Sequence, residues 1–293
     1  MRITNAMLRH RSLEAIQTSL AGLVEANARA TTGLRVRSAS DDPTAYAGIL
    51  SADTRLAGLT QYRRNISSAQ ARMGLEGDAL DQLGNLLDRA REVAVSQAAG
   101  NGSASTRKVS RAEIDQIFAE AVALANSRQG NRYIFGGAFT DAAPLDGLGQ
   151  PSPTRPPVGS ASVEIDEGLT TVVNHDATEI FLNTGAIDAL QKLATGLGNN
   201  SDTEIADAIT SLYSAFDQLQ VLVGENGARM KQLDTSASRI DDAETTVKAA
   251  RSDLADAEME EALTELVHRQ NALEAAMLST SRLLSTNLTD YLR

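Results

Sequence analysis

The chain has no cysteine and no tryptophan, and aromatic side chains make up only 3% of its 293 residues. Without cysteine, neither a disulfide framework nor a thiolate metal site can form. With so few aromatic rings, the large planar groups that fill thick cores are missing. Helices must then meet through narrow seams of Leu, Ile, Val, Met and Ala. No apolar run approaches the roughly 20 residues that a bilayer-crossing helix needs. Met1 to Leu20 lacks the charged-then-apolar pattern of a secretory signal, so export would require another route. Excess positive charge is absent too. The net charge of -11 argues against nucleic acid as a partner, because phosphate binding needs a basic footprint, and no membrane partner is expected.

Recognisable catalytic patterns are also lacking. His10, His175 and His268 are far apart in sequence, and none has a partner at the His-x-x-x-His spacing that places two ligands on one helix face. Gly147-Leu148-Gly149 is followed by Gln150-Pro151 rather than a helix start, so no phosphate loop is expected, and no nucleophile elbow is visible. Asp41 and Asp42 form a carboxylate pair suited to acid/base or metal chemistry. Helix capping is favoured over that role because Pro43 follows directly. Arg35 and Arg37 suit packing salt bridges better than an anion site. Met73, Met259 and Met277 are expected as gap-fillers in helical seams. No catalytic residue, metal or cofactor is assigned, and the chain is expected not to be an enzyme.

What the sequence does contain is helical periodicity. Leu13, Ile16, Leu20, Leu23, Asn27, Ala30 and Leu34 alternate steps of three and four, a heptad seam with one polar member. Near the other end Met259, Leu263, Leu266, Gln270, Leu273, Met277, Thr280 and Leu284 repeat that spacing. The ends carry opposite charge. Arg2, Arg9, Arg11, Arg29, Arg35 and Arg37 against Glu14 and Glu25 give residues 1–40 a net charge of +4. Asp256, Glu258, Glu260, Glu261, Glu265, Glu274 and Asp290 against Arg269, Arg282 and Arg293 give residues 254–293 a net charge of -4. The two ends are therefore expected to meet.

Between them, Ser40-Asp41-Asp42-Pro43 opens a second helix, with an aspartate cap and proline at the first helical position. Its apolar stripe runs from Ile49 through Leu80, Leu83 and Leu87 to Ala94, and a continuous helix from Pro43 to Ala98 would be about 80 Å long. Interior glycines at Gly48, Gly58, Gly74, Gly77 and Gly84 each cost up to about 1 kcal/mol against alanine, so this helix needs neighbours. A third helix is expected from Ser105 to Gln129. A long one starts at the capping box Ser201-Asp202-Thr203-Glu204 and continues to Leu254.

Five of the six prolines fall between Tyr133 and Thr184. Short β-type runs appear there at Arg132 to Phe135, Ser162 to Asp166, Leu169 to Asn174 and Glu179 to Leu182, with Asp166-Glu167-Gly168 as a hairpin turn. Residues 138–184 carry a net charge of -6, from Arg155 against Asp141, Asp146, Glu164, Asp166, Glu167, Asp176 and Glu179. The expected architecture is mainly α. An elongated antiparallel helical rod or coiled coil of N- and C-terminal segments carries a small β-rich insertion facing solvent. Three parts are expected: 1–40 with 254–293 as a terminal coiled coil, 41–137 with 185–253 as a helical rod, and 138–184 as an acidic β-rich insertion.

The segment from Thr32 to Pro43, with Gly33, Arg35, Ser40, Asp41, Asp42 and Pro43 as its marked positions, resembles the N-terminal signature of the flagellin superfamily. Asn131 to Gly137 and the run from Asp253 through Glu261 and Leu273 to Arg293 resemble it as well. Pro43 after the aspartate pair is similar to the hook-filament junction branch, where filament subunits usually have alanine. Met1 to Thr4, Val163 to Phe181 and Asn287 to Leu292 also resemble that branch, whereas Pro151 to Pro157 departs from it. The resemblance implies a structural flagellar subunit exported unfolded by the flagellar type III apparatus, with a chaperone on its C-terminal helix. It implies assembly with copies of itself into a ring, next to another hook-associated protein and to flagellin. Leu13, Ile16, Leu20, Leu23, Leu263, Leu266, Leu273, Met277 and Leu284 would form the axial seam. A short flagellin and a helical signalling protein are the alternatives.

Overall fold

The computed structural model describes the backbone of residues 5–98 and 103–291, and the terminal helices' side chains at Met7 and from His10 to Arg282. The Met1 to Thr4 and Leu292 to Arg293 parts of the family pattern, the Gly100-Asn101-Gly102 helix stop and the Leu284 side chain lie outside the described residues. The fold is mainly α. Six α-helices are described: α1 (Asn5–Thr32), α2 (Pro43–Ala98), α3 (Ala104–Ala125), α4 (Ala186–Gly198), α5 (Asp202–Ala255) and α6 (Met259–Tyr291). Two small antiparallel hairpins stand between α3 and α4: β1 (Arg128–Gln129) with β2 (Arg132–Tyr133), and β3 (Ser162–Asp166) with β4 (Leu169–Val172). The chain divides into two compact units, residues 1–58 with 243–293 and residues 59–242.

In the second unit α2 and α5 run antiparallel. Gln70 donates to Asp234 at 2.7 Å, Asn226 donates to the Met73 carbonyl at 3.1 Å, and the Arg91 guanidinium stacks 4.3 Å from the Tyr213 ring centroid. The core lies between Leu80, Leu83 and Leu87 of α2, Ile114 and Ala121 of α3, Leu190 and Leu193 of α4, and Leu212 and Leu219 of α5. At one end a buried Arg107 holds three chain segments together. Its guanidinium donates to Asp202, to Asn200 at 3.1 Å and to the Gln97 carbonyl at 3.2 Å. The end of α2 and the start of α3 are thereby fixed to the α4–α5 turn. Ser201 caps α5 by accepting from the Glu204 amide at 3.3 Å.

Residues 138–184 differ from the solvent-facing insertion expected. Leu145, Ala177, Ile180 and Phe181 are buried in the helical core, and Phe181 meets Phe135 edge-on with ring centroids 5.6 Å apart. The acidic side chains Asp141, Asp146, Glu164 and Glu167 do face solvent, but net charge says nothing of the apolar positions between them. The β3–β4 turn falls at Glu167-Gly168, where Gly168 has φ +70°, a conformation that glycine adopts without a Cβ penalty. Glu179 to Leu182 is not a strand. It lies in a π-helical turn, Thr178–Asn183, started by a reciprocal cap: Asp176 accepts from the Glu179 amide at 3.0 Å and Glu179 from the Asp176 amide at 3.2 Å. That is capping-box logic, and it overrides the β propensity of Ile180 and Phe181.

The third helix stops at Ala125, short of the expected Gln129. Asn126 just beyond it both donates to and accepts from the Leu145 backbone, at 2.9 and 3.1 Å, and the chain turns into β1. Helix α4 was not anticipated, although Ile187, Leu190, Leu193 and Leu197 repeat at helical spacing and are buried.

If residues 138–184 are part of the core, Phe181→Ala should destabilise the second unit by about 3–5 kcal/mol, read from urea denaturation. Leu148→Ala, at a side chain 71% exposed, should leave the transition almost unchanged.

Candidate assembly surface

The segment from Thr32 to Pro43 lies in the first unit and joins α1 to α2. Helix α1 ends as Gly33 turns to φ +69° while its amide still donates to the Arg29 carbonyl at 2.9 Å. This is a left-handed helix stop, which favours glycine. The next residues lie along the end of α5. The Ala255 carbonyl accepts from the Arg35 and Val36 amides at 2.7 and 3.2 Å, and the Ala257 amide donates back to Gly33 at 2.8 Å. Val36, Ala45, Ile49 and Ala255 form a small buried cluster there, flanked by Leu34 and Leu254. A Cβ at Gly48 would stand 2.8 Å from Leu254 Cδ1, so α2 and α5 approach here because that position lacks a side chain.

Arg35 makes two contacts. One guanidinium nitrogen donates to the Leu254 carbonyl at 2.8 Å and the other stands 3.4 Å from Asp42. A cation at the C-terminal end of a helix also complements its dipole. Asp42 is the α2 cap, accepting from the Thr44 and Ala45 amides at 3.1 and 3.0 Å. Asp41 does different work, closing the preceding loop by accepting from the Arg37 and Ser38 amides, both at 2.9 Å. Ser40 shares a hydroxyl hydrogen bond of 2.7 Å with Ser38. The Arg37 and Ser38 amides hold the Asp41 carboxyl below its ordinary value of 3.8, and the Ala45 amide, helped by Arg35, does the same for Asp42.

Helices α1 and α6 pack against each other. Ala26 and Ala262 are buried, and Ile16, Leu23, Leu266 and Leu273 are half-buried with Ser12, Ser19, Ala30, Ala276 and Thr280. Other expected seam positions point elsewhere. Leu13, Leu20, Leu263 and Met277 are 47–59% exposed, and they are joined by Val24, Met259, Val267 and Leu278, at 47–62%. Scattered apolar exposure is ordinary; here it is aligned. Leu13, Leu20 and Val24 share one face of α1. Met259, Leu263, Val267 and Leu278 lie within one arc of about 100° on α6, because steps of four, four and eleven advance the helical angle by about 40°, 40° and 20°. Each terminal helix thus carries two apolar rows, one turned to its partner helix and one left open.

The charges of the two ends are paired differently from the expectation that they meet. Arg29 pairs with Glu25 and Arg269 with Glu265, each on its own helix at 2.6 Å. Arg29 and Arg35 nevertheless share an open cleft of about 300 Å³ with Glu258, Glu261 and Glu265. Nothing in the described side chains forms a group of three or more His, Asp or Glu able to hold a metal ion.

Comparison with known proteins adds several likenesses. The model of the bacterial flagellin N-terminal helical region matches residues 3–140. Flagellar hook-associated protein 3 of Salmonella typhimurium is 27% identical, over 94% of this chain and 95% of that protein. Among solved structures, a putative flagellar hook-associated protein from Vibrio parahaemolyticus superposes with a TM-score of 0.66 at 20% identity, covering 74% of this chain and all of that one. The flagellar junction protein FlgL from Legionella pneumophila gives 0.59 at 15%, covering 71% and 100%. These two likenesses establish a shared fold.

Carboxylates with depressed pKa values stabilise the fold above the pKa they have when unfolded, and that contribution is lost as pH falls through the folded value. The loss at Asp41 and Asp42 is therefore expected only below pH 3.8. Circular-dichroism melts from neutral to strongly acid pH should show Asp41→Ala and Asp42→Ala each lowering the neutral-pH midpoint and weakening the acid-side loss. Pro43→Ala should change little, since alanine is a good helix former.

Proposed function

We propose that this chain, similar along almost its whole length to flagellar hook-associated protein 3, is a structural subunit of the bacterial flagellum at the junction between hook and filament, and not an enzyme. The observation that carries the proposal is the open apolar row on each terminal helix. A heptad seam between two helices uses one row apiece; a second row on each suits a helix with neighbours on more than one side, as in a ring of identical subunits. Covering one leucine is worth about 1.5–3 kcal/mol. Order in the terminal helices is therefore coupled to assembly.

In this reading residues 1–40 and 254–293 form the axial coiled-coil layer, with Leu13, Ile16, Leu20, Leu23, Leu263, Leu266, Leu273, Met277 and Leu284 in its seams. Residues 41–137 with 185–253 form the helical domain, and 138–184 the inserted piece. Gly33, Arg35, Ser40, Asp41, Asp42 and Pro43 set how the chain passes from the axial layer to that domain. The partners are further copies of this chain, an adjacent hook-associated protein and flagellin. A flagellar export chaperone covers the open row of α6 before the chain leaves through the flagellar type III apparatus.

Leu20→Asp and Leu263→Asp place a charge on the open rows, where the isolated subunit tolerates it in water and an assembled seam does not. Each variant should melt like the wild type yet fail to appear at the hook tip by immunogold labelling of sheared flagella, where the wild-type signal is confined to the hook-filament boundary. Normal incorporation of both variants would overturn the assignment of the rows. Label along the whole filament, or long filaments formed by the purified protein alone, would instead identify a short flagellin.

A further inference from the structure

His175 is buried in the second unit between two carboxylates contributed by different helices. Its Nδ1 faces Oε1 of Glu76, a fully buried residue of α2 whose other oxygen accepts from the His175 amide at 3.0 Å. Its Nε2 stands 3.3 Å from Oε2 of Glu225 on α5, a half-exposed carboxylate that also has Arg229 at 3.4 Å. Arg229 donates in turn to the carbonyl of Asn174, beside the histidine, at 3.4 Å. Asp176 and Glu179 of the histidine's own segment are engaged with each other's amides. Arg72 of α2 donates to the Ile134 carbonyl at 3.1 Å. The Nε2 side opens to a groove of about 370 Å³ lined by Glu179, Gln218, Val221 and Arg229 among others.

A carboxylate only accepts hydrogen bonds, and a neutral imidazole carries one N–H and one bare lone pair. With acceptors on both ring nitrogens, one contact is repulsive unless the ring is doubly protonated. We infer that His175 is a proton-operated latch: its imidazolium form fastens the buried segment Thr171–Ala177 to α2 through Glu76 and to α5 through Glu225, and loss of the Nε2 proton releases the α5 side. The Glu76 side stays closed, because a neutral ring still donates from Nδ1. Arg229 keeps Glu225 in place, so the lone pair is left facing a carboxylate and the segment is loosened on the α5 side, where the 3.4 Å contact of Arg229 with the Asn174 carbonyl remains.

The electrostatics agree. Burial works against the imidazolium, but the hydrogen bond and charge of Glu76 outweigh it, with Glu225 adding and Arg229 subtracting, so the pKa of His175 is raised above its ordinary 6.5. A raised pKa means that the folded state binds the proton more tightly than the unfolded chain. The stabilisation is fully present below the unfolded value, near 6.5, and is lost as pH rises through the folded one. The latch is tight in mildly acid solution and loosens towards alkaline pH.

The test uses full-length protein carrying His10→Gln and His268→Gln, in which His175 is the sole imidazole, with ring nitrogens followed by NMR across pH. Both nitrogens should be protonated up to a midpoint above 6.5, and Glu225→Gln should move that midpoint down. Hydrogen-exchange protection of the Thr171–Ala177 amides should drop as pH passes the midpoint, and the drop should vanish in His175→Gln. A midpoint at or below 6.5, one unmoved by Glu225→Gln, or the same drop in His175→Gln would overturn the latch. If His175→Gln does not fold, Glu225→Gln still decides: its carboxylate is half exposed, so the fold survives the change and the midpoint shift remains measurable.

Discussion

Burial in the terminal helices is spread thinly, and much of what is built around them compensates for that. Among the described residues Ala26 and Ala262 are the buried positions of the α1–α6 seam, and small Ser12, Ser19, Ala30 and Ala276 are half-buried like its leucines. Each buried methylene is worth about 0.8 kcal/mol, while fixing the backbone of one residue costs about 1–2 kcal/mol. A seam of alanines and serines therefore cannot hold its own register by area alone. Directional contacts at the helix ends do so instead. Arg35 spans the Leu254 carbonyl that ends α5 and the Asp42 carboxylate that starts α2, and Gly48 lets the same two helices close on each other.

The second unit meets the same shortage with the same means. Aromatic contact in its core is Phe135 against Phe181, and the latter comes from a segment whose composition suggested a solvent-facing acidic piece. Arg107 at one end and the Glu76–His175–Glu225 cluster between α2 and α5 are buried polar ties between segments far apart in sequence. Such ties cost desolvation and add little net stability against an apolar alternative. What they contribute is a single allowed alignment of helices that could otherwise slide past one another by a turn.

Local signals were legible in the sequence; phase and distant partners were not. The start of α2 at Pro43, the Ser201 cap and the β3–β4 turn at Gly168 are each written within about four residues, and the structure has elements there. The π-helical turn was equally local, but the strand-like run Glu179 to Leu182 hid the Asp176–Glu179 pair that starts it. In the terminal helices, steps of three and four revealed apolar faces without telling which row meets the partner helix. Leu13 and Leu20 differ from Ile16 and Leu23 by about one step around the helix, and two rows that close merge into a single stripe when read from spacing. His175 carried no signal at all, because Glu76 lies 99 residues before it and Glu225 50 after it.

Charge and apolar surface divide the work at the ends of the chain. Ion pairs between exposed side chains contribute about 0–1 kcal/mol, and Arg29 and Arg269 are already satisfied by Glu25 and Glu265 on their own helices. The opposite net charges of the two termini are thus too weakly coupled to hold α1 against α6. Their effect lies in orientation, since complementary fields select which surfaces meet and disfavour like against like. In the proposed assembly, residues 1–40, net +4, turned towards residues 254–293 of a neighbouring copy, net -4, would reinforce the arrangement that covers Leu20 and Leu263, whereas 1–40 against 1–40 would bring arginines together. In the proposed assembly the apolar rows would supply the affinity, and the charges would decide which row meets which.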